Sequence, residues 1–192
     1  MTKKRIKEEA LDLFVINGYE GTSMSKIANK VNINASAIYA HYESKEQLFL
    51  IIFKDIVNEK LFEIEETKNK AGCKEINELL YTLLNNYLKL IETDKNKLVF
   101  FKRTALFAPE NLKEKVREIL MDYEENYSKL LIPIFTNGIH KKIIREENID
   151  KLLAAFYCLM DGLYVLSHYY DMNDYKKVVS DVWDLFWKSI KR

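Results

Sequence analysis

The sequence predicts an all-helical protein: an N-terminal three-helix helix-turn-helix head joined through one long shared helix to a larger helical C-terminal body, about nine helices in all. Three observations carry this expectation. Apolar residues recur at helical spacing almost throughout, and no window alternates with the period of two that a half-buried strand requires. The 192 residues include only five Gly and two Pro, so material for turns is scarce. Lys, Glu, Leu and Ile are plentiful, and their side chains lose little freedom in a helix. A hydrophobic share of 48% is far too high for a disordered chain.

Taken in order, the first helix is expected from about Lys3 to Asn17, with Ile6, Ala10, Leu11, Leu13 and Phe14 as its buried stripe. Gly18 suits the left-handed position after its end. Ser23 can cap a short second helix carrying Met24, Ile27 and Ala28, and Asn34 a short third carrying Ile38 and Tyr39. Ser44-Lys45-Glu46-Gln47 reads as a capping box opening the fourth helix, with Gln47 reaching back to the cap. That helix should extend to about Lys68, with Gly72 marking the break. A fifth helix follows over Ile76 to Ile91, and Thr93 or Asp94 can cap a sixth through Phe100, Phe101 and Leu106. Pro109 fits the first turn of a seventh, which Pro133 should kink or split and Gly138 should end. The eighth is expected from about Asn148 to Tyr170 and the ninth from about Asn173 to Ile190.

Several functions are excluded or disfavoured. No apolar run approaches the roughly 20 residues that span a bilayer, and the charged start has no apolar stretch behind it, so a cytoplasmic location without membrane contact is expected. Cys73 and Cys158 are far apart with no CxxC, which reads as two reduced thiols, Cys158 packed in a core. His41, His140 and His168 are scattered, and HExxH, GxSxG and Gly-rich phosphate loops are missing. No enzyme, metal site or cofactor is expected. The formal net charge of +1 means that any nucleic-acid contact must come from a local arrangement of charge rather than a global field.

Between Thr22 and Leu48 two short helices flank the turn Val31-Asn32-Ile33, and neither can bury its apolar face alone. They need the first and fourth helices to close a miniature core, which leaves the third protruding as a recognition helix does. The ordered run Gly18-Tyr19-Glu20-Gly21-Thr22-Ser23-Met24-Ser25-Lys26-Ile27-Ala28, then Ala37-Ile38-Tyr39-Ala40-His41-Tyr42 and Ser44-Lys45-Glu46-Gln47-Leu48, resembles the signature of the TetR family of bacterial transcriptional regulators. The resemblance covers roughly Ile6 to Phe53. It implies a ligand-responsive repressor that binds a palindromic operator in double-stranded DNA as a homodimer and is released by a small-molecule inducer, here of unknown identity. The alternative is a helical interaction module, or an activator of the same fold.

Carried over residue by residue, the resemblance places Ser23 and Ser25 near a phosphate, and Asn34, Ala35, Ser36 and Ala37 at base edges. Tyr39 and His41 match positions that meet backbone or bases, and Lys45 directs its charge at a phosphate from the first turn of the fourth helix. Thr2, Lys3, Lys4 and Arg5 form a basic arm, or simply a solvated terminus. Tyr39 and His41 are also open to a packing role, and Lys45 to a solvated one. Two positions depart from the common pattern: Asn32 stands in place of a turn glycine, and Ser36 in place of a glycine in the recognition helix. That helix has no Arg, Lys or Gln for bidentate base contacts, which points to an AT-rich operator read partly through groove shape.

The resemblance divides the chain into a DNA-binding domain, 1–48, and a ligand-binding and dimerisation domain, 49–192, with the fourth helix as the lever between them. Candidate ligand contacts are Tyr87, Phe101, Tyr123, Tyr127, Tyr157, Asp161 and Tyr164. Candidate dimer contacts are Tyr157, Tyr164, Val178, Val182, Leu185 and Phe186, on two helices whose apolar arcs are too wide for one core.

Overall fold

The computed structural model describes residues 3–70 and 75–192, and of Leu90 only the backbone. Thr2, Gly72 and Cys73, to which the sequence assigned roles, lie outside the described residues. The helices are α1 (Lys3–Asn17), α2 (Met24–Val31), α3 (Ala35–Tyr39), α4 (Lys45–Lys70), α5 (Ile76–Thr93), α6 (Lys95–Leu106), α7 (Lys113–His140), α8 (Ile149–Leu166) and α9 (Met172–Ile190). The fold is all-helical, and among the described residues no strand occurs. One isolated bridge, Ile144 with Lys191, pins the end of α9 through Arg145 N–H on the Ile190 carbonyl at 2.8 Å. Among the described residues no helix is long and apolar enough to cross a membrane.

The chain forms two compact units. The first comprises Met1–Lys60 and Asp94–Tyr123, the second Leu61–Thr93 and Glu124–Arg192. In the first, Ile6, Ala10 and Phe14 of α1 meet Ile27 and Val31 of α2, Ile38 of α3, Leu48, Phe49 and Phe53 of α4, Phe100 and Phe101 of α6, and Val116 of α7. In the second, Leu80 and Leu84 of α5, Leu131 and Phe135 of α7, Phe156 and Met160 of α8 and Trp183 of α9 form a separate core.

The termini follow local chemistry, with instructive departures. Gly18 adopts φ +72° after α1, and Ser23 accepts the Lys26 N–H to cap α2. Asn34 occupies the cap position of α3 but makes no side-chain capping bond, so its amide is not spent on the helix. Ser44 Oγ accepts the Gln47 N–H at 3.0 Å, while Gln47 Oε1 reaches past the cap to the Glu43 N–H at 2.8 Å. Pro109 precedes a single 3-10 turn, Glu110–Leu112, that leads into α7.

Pro133 does not split α7, which runs unbroken to His140. It removes one N–H, and both Pro133 and Lys129, whose carbonyl loses that donor, are exposed, so water satisfies the carbonyl. Gly138 lies inside the last turn rather than ending the helix. A Cβ there would stand 2.6 Å from Ile144 Cδ1, so the glycine lets the chain fold back closely, and the left-handed residue is Lys142 at φ +58°. Helix α8 stops at Leu166, four residues short of expectation. Asp171, accepting the N–H groups of Asn173 and Asp174, starts α9 one residue early.

Cys158 is exposed, which overturns its expected burial. It stands two residues from both Phe156 and Met160, so it falls on the outer side of α8 while they face the core.

Candidate nucleic-acid interface

The interface is built from the turn after α1. Thr22, only 2% exposed, donates its hydroxyl to the Gly18 carbonyl at 2.8 Å and lies 3.1 Å from that of Leu13, which fixes where α2 begins. At the far end of α2, Asn32 takes φ +58°, and Ile33 N–H bonds the Ala28 carbonyl at 3.0 Å. Asparagine tolerates that conformation better than most residues, so the turn closes without glycine.

Helix α3 is therefore held by one side. Ile38 is fully buried and Tyr42, just beyond the helix, is nearly so, with its hydroxyl 3.3 Å from the Lys3 carbonyl. Burial raises the Tyr42 pKa, so the phenol stays a neutral donor. Asn34, Ser36, Ala37, Tyr39 and His41 are exposed, and Ala35 is half-buried against the core. Ser23 and Ser25, at the start of α2, are exposed as well.

Lys45 is placed differently from either expectation. Its Nζ donates to the Tyr19 carbonyl at 2.8 Å and sits 4.0 Å from the centre of the Tyr19 ring, so it braces the α1–α2 turn. Sequence reasoning also passed over Lys26, which is exposed and bonds the Gly21 carbonyl at 2.8 Å. Its position three residues after the capping Ser23 is the signal that points to it.

Residues 1–48 contain seven Lys or Arg against six Asp or Glu, so sign alone confers little. Position confers more. Asp12 accepts from Asn96 of α6 at 2.7 Å, and Glu46 pairs with Lys115 of α7, which takes both carboxylates to other sides of the unit. Lys3, Lys4 and Arg5, in the first turn of α1, remain exposed, with Glu8 answering only Lys4, at 3.8 Å.

The candidate ligand residues divide between the two units. Phe101 and Tyr123 pack edge-on at 5.6 Å in the first, where Phe101 also stacks on Phe53. Tyr87, Tyr127, Tyr157, Asp161 and Tyr164 belong to the second. There Tyr127 and Tyr157 stack at 5.1 Å, with Tyr127 OH 3.1 Å from Met160 Sδ and Tyr157 OH 2.9 Å from Ser128 Oγ. Burial raises the pKa of both Tyr157 and Tyr164, while Asp161 is exposed on α8. Of the candidate dimer residues, Leu185 is 69% exposed, and Tyr157, Tyr164, Val178, Val182 and Phe186 are half-buried.

Residues 6–52 match the family model described as bacterial regulatory proteins, tetR family. The head is a TetR-family DNA-binding domain. The chain thus carries a helix-turn-helix DNA-binding domain, and the family it matches is one of regulators rather than enzymes. It is 28% identical over 151 residues to the fatty acid metabolism regulator protein of Bacillus subtilis, covering 78% of this chain and 74% of that one. To the HTH-type transcriptional regulator QacR of Staphylococcus aureus it is 24% identical over 99% of this chain and 98% of that one. Its fold matches that of the transcriptional regulator FadR from Bacillus subtilis in complex with stearoyl-CoA, with a TM-score of 0.76, 21% identity and coverage of 96% and 97%.

Proposed function

We propose that this regulator is a cytoplasmic, ligand-responsive repressor that binds a palindromic operator as a homodimer and leaves it when a small molecule binds its C-terminal domain, 49–192. One observation carries the DNA reading: Ile38 anchors α3 in the core while Asn34, Ser36, Ala37, Tyr39 and His41 are all exposed around it. In this reading Ser23 and Ser25 meet one phosphate. Asn34, Ala35, Ser36 and Ala37 approach base edges, and Tyr39 and His41 contact the backbone or bases. Lys45 acts through Tyr19, holding the turn from which α2 presents its serines. Because α3 offers no bidentate Arg, Lys or Gln, the operator is AT-rich and read partly by shape.

The homodimer reading rests on α8 and α9. Ala154, Ala155, Cys158, Gly162 and Val165 leave one side of α8 exposed and small, and Leu185 does the same with a large apolar group on α9. A second copy covering these faces, with Val178, Val182 and Phe186 at their edges, would bury them in a two-fold interface. For the effector we infer a long-chain acyl-CoA. Support comes from the relative named for fatty acid metabolism and from the similar fold that holds stearoyl-CoA. The stacked Tyr127 and Tyr157, with Tyr87, Asp161 and Tyr164, are its candidate contacts.

A mobility-shift assay on the DNA flanking the protein's own gene tests this. Saturable binding that weakens steeply with salt and is reversed by stearoyl-CoA is expected. Saturable binding that no acyl-CoA reverses would refute the effector class. No binding at any neighbouring promoter would refute the repressor reading in favour of an interaction module.

A further inference from the structure

We propose a second small-molecule site, within the DNA-binding unit itself: the cavity between α1, α4 and α6 takes a small aromatic carboxylate, its ring among Phe14, Tyr19, Phe49 and Phe100 and its carboxylate on Arg103. The cavity holds about 220 Å³ and is lined by these five residues together with Asn17, Gly18, Glu20, Thr104, Phe107 and Pro109. An apolar cavity of about 150 Å³ admits benzene, so a ring bearing one carboxylate fits, whereas drug-sized ligands need roughly 300–1,000 Å³. A long acyl chain does not fit, which separates this site from the effector site proposed above.

Its walls are preformed. Phe49 meets Phe14 edge-on at 5.0 Å, Tyr19 at 5.1 Å and Phe100 at 4.9 Å, so each ring is held by another. At the mouth Phe107 is 78% exposed, an apolar surface that a bound ring would cover.

The polar groups select the sign of the ligand. Arg103 Nη1 donates to the Val15 carbonyl at 3.3 Å, capping the end of α1. A guanidinium has five N–H donors, and among the described residues no acid pairs with this one, so most of the fork remains for a carboxylate. Thr104 is 3% exposed and lines the same space. Thr67 and Thr93 return their hydroxyls to the carbonyl four residues back, but among the described residues Thr104 makes no such bond. Glu20, exposed on the rim, opposes an anion. Arg103 on the lining and Lys45 over the Tyr19 ring outnumber it two to one.

The test uses the full chain and three probes of one shape: benzoate, benzyl alcohol and benzylamine, titrated by calorimetry and by protein-observed NMR. Benzoate should bind in the millimolar range or tighter, with amide shifts centred on Gly18, Arg103 and Thr104, and the other two probes about tenfold more weakly or worse. Arg103→Gln should weaken benzoate at least about tenfold, the loss of a charge-assisted contact. Because that change also uncaps α1, Thr104→Leu supplies a second variant, which intrudes on the cavity and should weaken benzoate with the melting temperature held. Shifts centred elsewhere, preference for benzylamine, displacement of benzoate by stearoyl-CoA, or binding indifferent to both variants would overturn the proposal. The readout is binding alone, so its failure leaves the repressor reading untouched.

Discussion

Replacing Tyr39 by Ala separates reading DNA from holding the fold. Tyr39 is 53% exposed and is not among the residues packed on the first core, whereas its neighbour Ile38 is fully buried there. Surface substitutions of this kind change stability by about 0.5 kcal/mol or less, and alanine's better helix propensity offsets part of any lost contact. Ile38→Ala, by contrast, should cost about 2–5 kcal/mol through lost burial and a residual cavity. In the proposed dimer each operator meets two copies of Tyr39. A hydrogen bond from a phenol to a charged phosphate contributes about 1.5–3 kcal/mol, so losing two costs about 3–6 kcal/mol, or roughly 10²–10⁴ in Kd. Fluorescence anisotropy on labelled operator at one fixed salt concentration gives the binding change, and thermal melts give stability. Tyr39→Phe isolates the hydroxyl. A fall in operator affinity of less than about tenfold, or a Tyr39→Ala variant that melts as early as Ile38→Ala, would show that Tyr39 does not serve DNA in this way.

Thr22→Val keeps shape but removes the donor that serves the Gly18 and Leu13 carbonyls, and should cost about 1–3 kcal/mol in urea unfolding. A midpoint unchanged from wild type would show that water replaces the hydroxyl. Gly18→Ala forces an L side chain to φ +72° and sets its Cβ 3.0 Å from Arg103 Nη2, so melting should fall by the equivalent of about 1–2 kcal/mol. Arg103 can swing away, so the backbone contribution should dominate, and removing the guanidinium by Arg103→Gln should restore little. Tyr175, hydrogen-bonded through its hydroxyl to the Leu163 carbonyl at 3.0 Å, has its pKa pushed up to about 12 by burial, against an ordinary 10.0. Its protonated form is favoured by folding, so its contribution is complete below pH 10.0 and is lost as pH rises toward about 12. Tyr175→Phe should flatten that alkaline loss in pH-dependent melts, and an unchanged slope would assign it to other groups.

What the sequence makes legible is what neighbours along the chain decide. The span of α1, the Ser23 cap and the left-handed Gly18 and Asn32 all depend on groups within a few residues, and all are readable from residue type and spacing. Partners far along the chain are not readable. Lys45 finds Tyr19, 26 positions away, and Arg103 finds Val15, 88 away, because α4 and α6 pack against α1. Helical spacing shows that each of these residues is amphipathic but not which carbonyl its head will meet. Cys158 fails for a related reason. Helix α8 is apolar nearly all round, so periodicity offers no way to tell its core side, with Phe156 and Met160, from the outer side, where Cys158 stands. That α7 continues past Pro133 is not readable either, because the cost of a helical proline depends on whether the deprived carbonyl is wet, and exposure is a property of packing.

The packing of the first unit bears on how an effector signal would reach DNA. The sequence suggests one lever, the fourth helix, yet Phe100 and Phe101 of α6 and Leu112, Val116 and Ile119 around the start of α7 share a core with Phe14, Phe49 and Phe53. Three carboxylates of α4 are tied to three different helices: Glu46 to Lys115 of α7, Asp55 to Lys7 of α1, and Glu59 to Lys97 of α6. Such partly exposed pairs contribute about 0–1 kcal/mol each, so they set register while the aromatic cluster supplies the binding. A close-packed cluster does not yield gradually, since its rings have only a few low-energy arrangements. Any shift of α6 or of the first turns of α7 must therefore re-seat Phe100 or Phe101 against Phe49 and Phe53, and through Phe14 alter the α1 support on which α2 and α3 rest. In the proposed repressor, an input arriving at α6 or the start of α7 would therefore have a path into the head other than bending of α4, through Phe14, Phe49 and Phe100, which also line the Arg103 cavity.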